Sequence, residues 1–108
     1  MFNTMPKPIG GNGDGASVLY DQVKSVTPYE VINTGVSSKN FVAVVNQDNS
    51  DAYLSGGNLM VFEFVNGVKT VKFDRNSLMD VNIVNGIIEV TNLTNYNLNN
   101  FVVYIYGT

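Results

Sequence analysis

The chain has 108 residues with no cysteine, no histidine, six Lys and Arg against nine Asp and Glu, and a net charge of −3. These counts exclude disulfides and thiolate chemistry, remove the usual neutral-pH acid or base and the commonest metal ligand, and leave too little positive charge for a phosphate-backbone partner. Neither a cofactor, a metal, a catalytic residue nor nucleic acid is therefore expected.

The first seventeen residues, MFNTMPKPIGGNGDGAS, combine two prolines with four glycines and show no alternating apolar pattern. Residues 1–17 are read as an extended amino-terminal arm and 18–108 as a single β domain, because a segment of this kind buries little on its own. Phe2, Met5, Pro6, Pro8 and Ile9 are its anchors for a neighbouring subunit; the alternative is an arm folded back along its own domain. The glycine run Gly10–Gly15 fits neither the dinucleotide fingerprint nor a P-loop, and reads as a hinge. No basic-then-apolar order suggests a signal peptide and no apolar run approaches the roughly 20 residues of a membrane span, so a soluble chain with no membrane partner is expected.

Short β-branched or aromatic runs follow. SVLYDQVK, YEVINT and NFVAVVN are bounded by Pro28, Gly35 and the QDNSD cluster. Asp48, Asn49 and Asp51 could offer oxygens to calcium, but the further ligands of a calcium loop are missing and a solvated turn is the simpler reading. Helix is confined at most to a turn near residues 17–24 or 75–78, since no window shows a 3.6-residue apolar period.

The stretch NLMVFEFVNGVKTVKFDRNS predicts a hairpin about Asn66-Gly67, the dipeptide that suits a type I′ turn. The register pairs Val65 with Val68, Phe64 with Lys69, Glu63 with Thr70, Phe62 with Val71 and Met60 with Phe73. It sets Met60, Phe62, Phe64, Val71 and Phe73 on a core face. Lys69 is expected to reach water from the rim of the core. MDVNIVNGIIEVTN repeats this grammar about Asn85-Gly86, separating Met79, Val81, Ile83, Ile88 and Val90 from Asp80, Asn82, Glu89 and Thr91. Glu63 and Glu89 are the acids nearest the middle of the two hairpins; a plain surface role outweighs paired-carboxylate catalysis for them.

Asn92-Leu93-Thr94 matches a glycosylation sequon, idle without secretion. The closing run NFVVYIYG places Phe101, Val103 and Ile105 on one face and Tyr104 and Tyr106 on the other, where a row of rings suits a protein interface or sugar stacking. Seven or eight short strands with tight turns predict an all-β fold, an antiparallel β-sandwich (jelly-roll or Ig-like) or a small barrel, with an extended arm.

The arm MFNTMPKPIGGNGDG, the Cys-free and His-free β domain and the Asn-rich surface TNLTNYNLNN resemble the small β-rich structural proteins of bacteriophage virions, such as capsid decoration or cement proteins. The resemblance implies a non-enzymatic virion component that docks onto neighbouring copies and other virion structural proteins. The alternative is a carbohydrate-binding module or adhesin, with glycans as partners of Tyr104, Tyr106 and the amide-rich loops.

Overall fold

The computed structural model describes residues 17–47, 58–75 and 77–108. Within them lie eight strands: β1 (Ser17–Val26), β2 (Val31–Asn33), β3 (Phe41–Gln47), β4 (Asn58–Val65), β5 (Val68–Asp74), β6 (Met79–Val84), β7 (Ile87–Asn92) and β8 (Leu98–Gly107). β1 begins at Ser17, and residues 17–24 are strand rather than a helical turn. The strands form two antiparallel sheets, β1-β8-β3-β4-β5 and β2-β7-β6. The fold is all-β, a β-sandwich.

Alternation explains the core. Phe41, Ala43 and Val45 of β3, Met60, Phe62 and Phe64 of β4, and Phe101, Val103 and Ile105 of β8 point inward from the larger sheet. They meet Ile32, Met79, Val81, Ile88 and Val90 of the smaller one. Phe41 and Phe64 stack with ring centroids 4.4 Å apart. Met79 N–H donates to Met60 Sδ across the layers at 3.4 Å.

Both Asn-Gly turns have the expected geometry, with Asn66, Gly67, Asn85 and Gly86 all at positive φ, between 50° and 82°. The first turn is also tied to the loop before β3, since Asn66 N–H donates to Asn40 Oδ1 and Gly67 N–H to the Lys39 carbonyl, each at 2.9 Å.

The predicted register of the first hairpin holds from Val65↔Val68 to Phe62↔Val71 and then slips, so that Val61 faces Phe73 and Met60 faces Asp74. A bulge at Lys72 is the reason: one extra residue turns Phe73 onto the opposite face of the sheet. Val71 keeps the inward side but is exposed, because β5 is the edge strand. Neither residue joins the core. In the second hairpin Met79, Val81, Ile88 and Val90 are buried as expected, whereas Ile83, next to the turn, is only half-buried.

Candidate functional site

The larger sheet carries apolar clusters on both faces. On the side away from the smaller sheet, Val44, Val102 and Tyr104 form a second buried cluster with Val42, Leu59, Val61 and Tyr106 packed against it. Every member comes from β3, β4 or β8. The register brings them side by side, with Val44 between Tyr104 and Val61, and Val42 beside Tyr106. Around this centre the face opens and becomes mixed, with Asp21 opposite Tyr104, Asn46 opposite Val102 and Glu63 opposite Val42 beside apolar residues: Val23, opposite Val102, is 59% exposed, and Phe73, opposite Val61, is 43% exposed. Val18, opposite Tyr106, is exposed as well. Lys72 and Glu63 pair loosely at 3.7 Å along the β5 margin, and the Arg75 guanidinium sits 5.9 Å above the Phe73 ring.

Tyr104 and Tyr106 share this face as the alternation predicts, with ring centroids 5.6 Å apart and planes tilted by 44°. Tyr104 is 2% exposed, however, and Tyr106 is half-buried. The pair therefore belongs to a packed apolar surface and offers no open platform on which a sugar could stack. Phe2, Met5, Pro6, Pro8 and Ile9 lie outside the described residues, as do the Gly10–Gly15 run and the Asp48–Asp51 cluster.

A second feature occupies one tip of the sandwich. Asn92, at the end of β7, is fully buried. Its Nδ2 donates to the carbonyls of Thr27 and Tyr96, both at 2.9 Å, and its Oδ1 accepts from Thr94 N–H at 2.8 Å and Thr94 Oγ1 at 2.7 Å. One amide thus stitches the β1–β2 turn to the β7–β8 loop with all of its polar atoms engaged. The sequon at this position is structural: a side chain buried with Nδ2 doubly committed is closed to modification in the folded protein. Tyr29 adds a further tie, its N–H donating to the Thr94 carbonyl at 3.2 Å while its backbone holds φ 59°. Tyr29 and Tyr96 are 62% and 53% exposed, with Leu93 exposed on the same loop as Tyr96. Sequence reading missed this tip. The pointers to it were an aromatic residue directly after Pro28 and an Asn-rich loop with Tyr96 in its middle.

Glu63 and Glu89 are not brought together. Glu63 lies on the outward side of the larger sheet opposite Val42 and Thr70, and Glu89 on the outward side of the smaller sheet opposite Asn33 and Asn82. The apolar core separates them, so they bound no common cleft. Lys69 does not reach out to water as expected. Its Nζ crosses from β5 to β6, donating to Asp80 Oδ1 at 2.8 Å, Asn82 Oδ1 at 2.9 Å and the Val81 carbonyl at 3.2 Å. The acceptors on β6 supply what water would have supplied. Burial pushes the Asp80 carboxyl upward, but hydrogen bonds from Lys69 and Asn82, the Lys69 charge and the Val81 N–H together outweigh it and hold the group below its ordinary value.

Among the described residues no group of three or more acidic side chains could hold a metal ion, and no helix is long and apolar enough to cross a membrane. No protein-family model matches the chain, and neither does any curated protein or solved structure.

Proposed function

We propose that the protein is a non-enzymatic structural subunit that docks onto neighbouring copies and other structural proteins of a particle, using its amino-terminal arm and the outer face of the five-stranded sheet. A bacteriophage virion is the proposed particle and a capsid-decoration or cement-like role the proposed task, in line with the style of the sequence. The observation that carries the reading is the second apolar face. A sheet in a two-layer sandwich needs one apolar side, and its other side ordinarily alternates to polar residues. Here Val42, Val44, Leu59, Val61, Val102, Tyr104 and Tyr106 form an apolar cluster at the centre of the other side too, with Val18, Val23 and Phe73 extending it into solvent. The centre of the cluster is already buried within one chain, so the part open to a neighbour is its margin at Val18, Val23 and Phe73, and exposed apolar surface of this kind marks a protein contact.

The occupant proposed for the open margin of this face is the arm of a neighbouring copy. Ser17 pairs with Gly107, next to Tyr106, so the arm leaves at the margin of the face it is to fill. Sixteen extended residues reach roughly 50 Å at about 3.3 Å each. Five strands at about 4.8 Å spacing are only about 20 Å across, so the arm is long enough to pass its own sheet. Phe2, Met5 and Ile9 would supply apolar side chains, and Pro6 and Pro8 would keep the chain extended at low entropic cost.

The absence of cysteine makes one direct test clean. A nitroxide on Met5→Cys is a unique label, and labelled chains mixed with isotopically enriched, unlabelled ones report transfer between copies. At concentrations where the protein associates, the amides of Val42, Val44 and Tyr106 in the unlabelled copies should broaden. Broadening confined to the labelled copies, or absent from this face in both, would defeat arm exchange.

A further inference from the structure

We infer that the tip carrying Tyr29, Leu93 and Tyr96 is a binding site for a neutral pyranose chain. The tip and Ser17, at which β1 begins, lie at opposite ends of the larger sheet. β1 pairs with β8 from Ser17↔Gly107 to Val26↔Leu98, and ten strand residues span about 30 Å. Thr27 and Pro28 continue directly from Val26, and Asn97 directly precedes Leu98, so the loops of the tip leave from the second end. A subunit held by its arm and sheet face turns this end away from its attachment.

Two exposed aromatic rings on short loops are recognition groups only if the loops hold still. Here they do. The turn from Thr27 to Glu30 is closed by Glu30 N–H on the Thr27 carbonyl at 3.0 Å, and Glu30 Oε1 accepts from Thr27 N–H at 2.8 Å and Thr27 Oγ1 at 3.1 Å. Asn92 N–H donates to the Glu30 carbonyl at 2.9 Å, and Leu93 N–H to that of Leu78 at 2.9 Å. The Tyr96 carbonyl is held twice, by Asn92 Nδ2 and by Thr94 Oγ1 at 2.9 and 3.0 Å. Tyr29 is kept in the left-handed region, which a bulky residue adopts only when its surroundings impose it, and such imposed strain gathers at functional positions. Both rings are thus offered to solvent from fixed backbone, and little ordering entropy remains to be lost on binding.

The chemistry around the rings selects the ligand class. Glu30 is the one charged residue in 27–31 and 93–100, and its carboxylate is already engaged by Thr27. Asn95, Asn97, Asn99 and Asn100 are exposed beside them. An amide presents a donor and an acceptor together, the pair that a vicinal diol can satisfy, and a tyrosine ring presents an apolar face to the C–H side of a pyranose. Among the described residues of these loops Glu30 is the single charge, with its Oε1 occupied by Thr27, so the groups offered beside the rings are chiefly amides.

The test uses the intact protein with two probes, cellopentaose and N-acetylchitotetraose. At millimolar concentration at least one should shift the ring resonances of Tyr29 and Tyr96 and the side-chain amides of Asn95 and Asn97 in a saturable way. Tyr29→Ala and Tyr96→Ala should each weaken that binding at least about fivefold, the loss of one ring contact, while an unchanged unfolding midpoint shows the sandwich intact. Tyr96→Phe should retain most of the affinity, since it keeps the stacking face. Rings that stay unmoved by both oligosaccharides at about ten millimolar, or shifts that persist in both alanine variants, would overturn the proposal. If the sugars leave the rings unmoved and the alanine variants instead reduce attachment to the parent particle, the tip is a protein contact and the glycan assignment fails.

Discussion

At the scale of single residues, the contact between Lys69 and Asp80 bridges β5 of one sheet and β6 of the other at the open margin of the core. Each side chain is less than a third exposed, and Lys69 Nζ also lies 5.7 Å from the Phe62 ring centroid, so its stem covers apolar surface while its charge finds acceptors. Because the Asp80 pKa is lowered in the folded state, its contribution is complete above the unfolded carboxylate value near 4 and declines as pH falls through the lower, folded value. The difference in denaturation midpoint between wild type and Asp80→Asn should therefore stay constant at about pH 5 and above, and shrink below about pH 4. A difference that does not change with acid would show that the pair contributes nothing to folding. Asn92 belongs to the same scale and was legible only as a sequon. Four hydrogen bonds from one buried amide leave no trace in the spelling of the sequence, because their partners sit on loops brought together only by the strand order.

At the scale of elements, the two hairpins were readable to the residue near their turns. The alternating runs and Asn-Gly dipeptides are local signals, and local geometry sets the register within about four residues of a two-residue turn. No atom lies within 4 Å of a Cβ built on Gly67 or Gly86, both at positive φ, so replacement by Val meets strain from the backbone alone. Gly67→Val and Gly86→Val should each cost on the order of 1 to 2 kcal/mol, and Gly→Asn at the same positions clearly less, because Asn tolerates the left-handed region. Equilibrium denaturation of the four variants checks this; equal costs for Val and Asn would show that something other than φ decides. Farther from the turn the reading fails at Lys72, where a bulge intervenes. Alternation says which residues share a face, never whether that face is covered: Val71 looks like core and lies exposed at an edge. β8 shows the converse, since Phe101 to Ile105 are buried on both sides and the Tyr104–Tyr106 face could not be assigned from its spelling.

At the scale of the whole molecule, the sequence pointed to an all-β domain with an arm, but the division into five and three strands, and with it the second apolar face, follows from pairings distant in the chain. β1 and β8 lie side by side though they are the first and last strands described. That pairing sets Ser17 at one end of the sheet and the Asn92 tip at the other. Among the described residues the inner core draws on nothing before Leu19. Deleting residues 1–15 should consequently leave the isolated domain folded with its unfolding midpoint nearly unchanged. If the arm docks as proposed, attachment to the particle should weaken severely, because apolar burial at roughly 25 cal/mol per Å² on a neighbour would be lost from every copy at once. Co-sedimentation of intact and truncated protein with the assembly, beside thermal unfolding of each alone, separates the cases. Equal retention of the two forms would remove the arm from the docking scheme. A large fall in the stability of the isolated truncated domain would instead seat the arm on the outer face of its own sheet, over Val44 and Tyr104, leaving neighbours to meet the sandwich along its exposed margins at Val23 and Phe73.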